Sequence, residues 1–205
     1  MNKLLAYIKI GFGLLAINAI VNEIMVLVSR DQFNLINFFS FFTIESNLFA
    51  AIILLCSGNY VLTKRIPSSR FNWLQGASTL YMTITGIIFS LLLAGLENVQ
   101  LTAVPWDNTV LHYIMPIAVI GLWFIDPPKQ TFSYVKSLIW ILFPLSYGVY
   151  TWIRGAITGW YPYPFMNPEV SGVGGLVVVS VGIAIGSALL GWILVWRANQ
   201  AAKSA

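Results

Sequence analysis

The chain has 205 residues but only one cysteine and one histidine. Cys56 alone can close no internal disulfide and complete no multi-cysteine metal site, and it is expected to be a small buried apolar residue. His112 alone excludes any intrachain two-histidine metal or haem site, because no second imidazole exists to complete it. The sequence also lacks a Walker motif, a dinucleotide fingerprint, a low-complexity tract and an internal repeat of the kind that marks many transporters. No cofactor and no metal are therefore expected. Charge is scarce too: Asp, Glu, Lys and Arg make up 9% of the chain against 58% hydrophobic residues. A soluble domain of this length does not stay dissolved with so little charge, so the composition defines an integral membrane protein.

Six apolar blocks, about 4–28, 35–56, 72–96, 109–125, 134–153 and 171–196, are long enough to cross ~30 Å of hydrocarbon. The segments between them are too short for a separate soluble domain. The expectation is one all-α transmembrane domain over residues 1–205, a bundle of six transmembrane helices. The first block exceeds a signal-peptide core and lacks a small-x-small cleavage site at its end, so it reads as retained. With alternating blocks, Lys3, Lys9, Lys64, Arg65, Arg70, Lys129, Lys136, Arg197 and Lys203 fall on one side, and Arg30 and Arg154 on the other. The positive-inside rule then puts both termini in the cytoplasm. Topology accounts for the basic excess, which is thus no argument for a nucleic-acid partner. Asp31, Glu97, Asp107 and Glu169 fall on the outer side.

Polar residues gather towards that outer side. Thr43 is expected about eight residues, or ~12 Å, below the outer boundary of the second block, and His112 about one turn below the start of the fourth. An ionisable group in a membrane segment is a functional candidate by default. Thr43, Ser46 and Asn47 share a helix face, with Glu45 pointing the other way. Asn18 and Asn22 lie four apart near the outer end of the first block beside Glu23, and Tyr147, Thr151 and Arg154 form a stripe on the fifth. Asn108, one turn before His112, can hold its ring. Pro116 deprives the carbonyl of His112 of its helical donor, and Pro144 does the same to Trp140, so both helices should bend.

Each of these features also has a structural reading. A threonine hydroxyl in a membrane helix commonly bonds a carbonyl one turn back, as Thr79 and Thr83 are expected to do. Glu23 and Glu45 can be neutral or paired with a basic partner such as Arg154. Arg154 can be a snorkelling anchor or a fork for a substrate carboxylate, and Lys9 can snorkel. Gly182 and Gly186, continued by Ser187 and Gly191, form a small-xxx-small pattern expected to pack closely. The loop Trp160-Tyr161-Pro162-Tyr163-Pro164-Phe165 is either an interfacial aromatic anchor or a lid over an outer-leaflet pocket.

Three ordered stretches, Phe41-Phe42-Thr43, His112 with Pro116, and Thr158-Gly159-Trp160-Tyr161-Pro162-Tyr163-Pro164-Phe165, resemble the androgen-induced gene family. That family includes the androgen-dependent tissue-factor-pathway-inhibitor regulator and bacterial six-helix relatives. The resemblance extends over nearly the whole chain and is of the bacterial type. It implies a membrane hydrolase that cleaves fatty acid esters of hydroxy fatty acids, with Thr43 as nucleophile and His112 as base. The residues after the threonine, Glu45, Ser46 and Asn47, depart from the animal members. The expected partner is a membrane lipid or fatty acyl ester, and the expected location a prokaryotic cell (inner) membrane with the site facing the outer leaflet.

Under this reading a neutral His112 takes the proton of the Thr43 hydroxyl and returns it to the leaving alcohol. Asn47, Asn18 and Asn22 are candidate oxyanion donors. Arg154, Trp160, Tyr161 and Tyr163 are candidates for substrate contact. The alternatives are a small transporter or channel using the same polar cluster, and a non-catalytic lipid-binding membrane protein. A retinal protein is disfavoured, because the fifth and sixth blocks offer no well-buried lysine.

Overall fold

A computed structural model describes residues 3–96 and 102–204, and among them the chain is helical with no strand. The elements in order are α1 (Lys3–Ser29), α2 (Leu35–Phe38), α3 (Phe42–Leu62), α4 (Ser69–Ile88), a π turn (Phe89–Leu93), α5 (Pro105–Thr109), a second π turn (Val110–Ile114), α6 (Met115–Ile125), α7 (Tyr134–Ser137), a 3-10 turn (Leu138–Ile141), α8 (Leu142–Thr158), a 3-10 turn (Pro164–Met166) and α9 (Pro168–Lys203). Among the described residues, five runs are long and apolar enough to cross a membrane: Lys3–Ser29, Phe42–Leu62, Ser69–Leu93, Pro105–Ile125 and Pro168–Lys203. The fifth apolar block is helical but interrupted. Pro144 leaves the carbonyl of Trp140 without its α-helical donor, and the chain enters α8 through the 3-10 turn, so the longest α segment there has 17 residues. Glu97 lies outside the described residues.

Local sequence explains most of the boundaries. Asn34, Ser68, Ser133 and Asn167 accept hydrogen bonds from backbone N–H groups at the starts of α2, α4, α7 and α9. Gly159, at φ 71°, supplies the left-handed residue that ends α8.

Small residues bring α1 against α3. A Cβ on Gly58 would lie 2.6 Å from Cγ1 of Ile10 and 2.8 Å from the carbonyl of Ala6, and Ala16, Ala50 and Ala51 are fully buried. Every residue of α4 from Gly76 to Thr85 is buried. Two of its hydroxyls bond only the helix itself, Thr79 to the carbonyl of Gln75 and Thr83 to that of Thr79. Two apolar clusters flank this central helix. One joins Phe42, Leu80, Tyr81, Trp123 and Trp140; the other joins Ile20, Ile44, Met82, Leu111 and Met115. Trp123 Nε1 donates to the carbonyl of Leu194 at 3.1 Å and ties α6 to α9.

Several expectations require correction. The second block is not one helix from residue 35: it breaks at Phe39–Phe41, and α3 starts at Phe42. Thr43 is therefore in the first turn of its helix, not eight residues into it. The small-residue face of α9 packs only in part: Ser187 and Gly191 are buried, with Leu80 and Trp140 3.9 Å from a Cβ on Gly191, whereas a Cβ on Gly182 or Gly186 would meet nothing within 4 Å. The N-terminal half of α9 exposes Val177, Val178 and Val181, and Gly182 and Gly186 face Ile84, Ile87 and Ile88 of α4 across a cavity of about 250 Å³ rather than in close contact. Lys9 does not snorkel to the interface. It is 3% exposed and its Nζ lies 2.6 Å from Oδ2 of Asp126. Cys56 is exposed on the outward face of α3.

Candidate active site

The break between α2 and α3 builds one side of the site. Phe41, the N-cap of α3, is extended and offers no side-chain cap, so the first N–H groups of the helix need partners from elsewhere. Tyrosines from α8 and the following loop provide them. The N–H of Phe42 donates to the Tyr147 hydroxyl at 3.3 Å, and the N–H of Thr43 donates to the Tyr163 hydroxyl at 3.3 Å. Tyr147 donates onward to the carbonyl of Ser40 at 2.9 Å, and the Ser40 and Tyr150 hydroxyls lie 3.0 Å apart. Irregular backbone at membrane depth needs such protein partners, because lipid supplies none.

The other side is the π turn at Val110–Ile114. The N–H of Met115 bonds the carbonyl of Val110, and Pro116 follows without an N–H. Gly86 makes room for this widened turn, since a Cβ there would lie 2.8 Å from Cβ of Pro116. His112 sits in the turn at 3% exposure with its ring stacked on Phe89, centroids 4.1 Å apart.

The two sides meet at Thr43 and His112. Thr43 Oγ1 lies 3.1 Å from His112 Nε2, and both side chains are buried. His112 Nδ1 lies 3.2 Å from the carbonyl oxygen of Asn108. A carbonyl only accepts, so in the neutral ring the proton resides on Nδ1 and the Nε2 lone pair faces the Thr43 hydroxyl. Asn108 thus orients the ring through its backbone rather than its side chain. The Tyr163 oxygen is also 3.4 Å from Thr43 Oγ1. Burial raises the Tyr163 phenol above its ordinary value of 10, with hydrogen bonds from Thr43 opposing the shift. It is therefore protonated at neutral pH and has an O–H to donate.

Two cavities adjoin Thr43, and a third, apolar and of about 370 Å³, borders His112 without reaching Thr43. Of those at Thr43, one, of about 260 Å³, is the more polar, with Glu23, Arg30, Gln32, Thr102 and His112 set among Leu27, Phe38, Phe41, Ile44 and Leu111. The other, of about 330 Å³, is predominantly apolar, with Ile88, Leu93, Trp152, Met166 and Leu176 in its wall. Thr43 and Tyr163 line both. The segment that walls the polar chamber is held to α1: the N–H of Ala103 donates to Glu23 Oε1 at 2.6 Å, and Asn22 Nδ2 donates to Asp107 Oδ2 at 2.9 Å.

The remaining candidates divide. Tyr163 touches Thr43, and Trp160 lines the polar chamber with its ring edge-on to Phe41 at 5.6 Å. The loop that carries them folds back over Thr43, and Phe165 stacks on Tyr163 at 5.3 Å. Tyr161 lines neither cavity. Its ring occupies the space left by Gly155, where a Cβ would lie 2.0 Å from Cε1. Asn47 is no oxyanion donor, because its amide donates to the carbonyls of Thr43 at 2.9 Å and Leu111 at 3.0 Å. Asn18 is exposed on the outer face of α1, and the Asn22 amide is engaged by Asp107. Arg154 stands behind Trp160, 4.4 Å from the ring centroid, with Nη2 on Oδ1 of Asn37. It forms no ion pair with Glu23 or Glu45; among the described residues the ion pair is Lys9–Asp126.

Sequence reasoning missed the Phe89 stack on His112, because an apolar residue in an apolar helix carries no mark of a ring contact. It also missed the polar chamber's Gln32 and Thr102, whose positions depend on how the segments around them fold. No cluster of three or more metal-binding side chains occurs among the described residues. In comparisons with known proteins, no family model, no curated protein and no solved structure matches the chain.

Proposed function

We propose that this protein is an intramembrane threonine hydrolase of lipid esters, of the type that acts on fatty acid esters of hydroxy fatty acids. The observation that carries this reading is the 3.1 Å approach of Thr43 Oγ1 to the lone-pair nitrogen of His112, beside an apolar cavity. The resemblance to the androgen-induced gene family supports it independently. A threonine hydroxyl is a weak nucleophile at neutral pH and needs a base within hydrogen-bond reach, and the tautomer set by Asn108 makes His112 such a base.

In the proposed reaction Thr43 Oγ1 bonds to the ester carbonyl carbon while its proton passes to His112 Nε2. The carbonyl oxygen becomes an oxyanion, for which the Tyr163 O–H is the candidate donor. The bond to the alcohol oxygen then breaks and His112 returns the proton to it. Water repeats the sequence on the acyl-threonine: its proton goes to His112, its oxygen to the acyl carbon, and Thr43 recovers the proton. The balance is ester plus water to acid plus alcohol.

The reading includes six transmembrane segments, the sixth supplied by the interrupted run that ends in α8, with both termini in the cytoplasm. It includes a prokaryotic cell (inner) membrane and a site open to the outer leaflet. The test is labelling by a fluorophosphonate probe and mapping of the modified residue. Modification at Thr43, lost in Thr43→Ala, is expected; wild-type ester cleavage by folded Thr43→Ala would sink the reading.

A further inference from the structure

The two cavities differ in chemistry, and the catalytic pair is not shared equally between them. Thr43 and Tyr163 border both, whereas His112 lines the polar chamber and is absent from the wall of the apolar cavity. If Thr43 attacks an ester and His112 protonates the leaving oxygen, that oxygen must depart on the side where His112 stands. The acyl chain must then extend to the other side of Thr43.

Resting on the hydrolase reading, the geometry points to a fixed substrate orientation: the acyl chain lies in the apolar cavity and the alcohol part in the polar chamber. The favoured substrates are therefore acyl esters whose alcohol part carries a further polar group, as glycerol or a hydroxy fatty acid does. The lining of each space supports this. Leu93, Met166 and Leu176 offer an acyl chain only apolar contact. In the polar chamber, Glu23, Arg30, Gln32, Asn34 and Thr102 present both acceptors and donors. Glu23 brings an acceptor and Arg30 a positive charge, so the chamber is not built for one sign of charge alone. Glu23 Oε2 is buried there with no hydrogen-bond partner, and a site built to hydrogen-bond a polar group rejects analogues that lack it.

Two esters of one acid separate the possibilities. Purified full-length protein is given 1-oleoylglycerol or oleyl oleate, which share the acyl group and differ in the alcohol. The glycerol ester is expected to react with a kcat/KM higher by ~10-fold or more. Equal rates, or a preference for oleyl oleate, overturn the orientation and leave the hydrolase reading intact. Cleavage of neither ester, with no probe labelling, overturns the hydrolase reading and the orientation with it. A second measurement addresses the acyl side. Leu176→Trp, which narrows the apolar cavity, is expected to lower the ratio of kcat/KM for 1-oleoylglycerol over 1-octanoylglycerol by ~10-fold. An unchanged ratio in the folded variant places the acyl chain elsewhere and overturns the proposal.

Discussion

The Tyr163 hydroxyl stands 3.3 Å from the backbone nitrogen of Thr43 and 3.4 Å from its Oγ1, across 120 residues of chain. Its oxygen accepts from the backbone, which leaves its own hydrogen directed at the hydroxyl or at a charge developing next to it. Tyr163→Phe keeps the ring stack with Phe165 and removes the hydroxyl, both its hydrogen and the acceptor for the Thr43 N–H. Ester cleavage is expected to fall ~10²–10³-fold in kcat with little change in KM, the pattern for an oxyanion donor. A steady-state comparison with the wild type checks this, and a change confined to KM would make Tyr163 a contact rather than a donor.

Thr43 and His112 should behave as one unit. His112→Ala is expected to reduce cleavage by ~10²–10⁴-fold, as for loss of a general base. The Thr43→Ala, His112→Ala double variant should be hardly slower than Thr43→Ala alone, because neither residue is useful without its partner. Additive losses in the double-mutant cycle would show that the two act separately.

Asn47 is expected to matter through geometry rather than contact with substrate. Its amide ties the carbonyl of Thr43 to that of Leu111, and so joins the helix of Thr43 to the turn that carries His112. Asn47→Ala leaves two buried carbonyls without this donor, with an expected loss of ~1–3 kcal/mol in stability. Thermal unfolding in detergent measures it, and a midpoint equal to wild type would remove Asn47 from that role.

Topology offers a separate test. Reporter fusions at the two ends should both read as cytoplasmic, and a reporter inserted after Thr158 should read as external. Opposite sides for the two ends would mean that the interrupted run ending in α8 does not cross the membrane.

Much of the helical plan was legible because apolar length is a strong signal. The starts of α1 and α4 lie within three residues of the expected 4 and 72. The approach of Thr43 to His112 could be inferred from depth and from the ordered motifs, yet the depth reasoning relied on a helix starting at residue 35. The break at Phe39–Phe41 has no glycine or proline to announce it. It exists because Tyr147, Tyr150 and Tyr163, more than a hundred residues later, satisfy the freed backbone and the Ser40 side chain. The reverse failure is Gly182 and Gly186, where the pattern for close packing is present but the facing α4 stays across a cavity. Spacing reports what a helix face permits, and only the rest of the chain decides whether it is used.

The loop over Thr43 also sets an order of events during synthesis. Thr43 emerges early and His112 joins it midway, but the phenol that meets the nucleophile's backbone comes only after α8. A nascent or truncated chain ending before Tyr163 holds the threonine and the histidine, yet has neither the cover over them nor the O–H proposed to receive the developing charge. Under the proposed hydrolase reading, a half-made chain in the bilayer is thereby a poor catalyst among the lipids that surround it, and competence arrives only with the loop after α8.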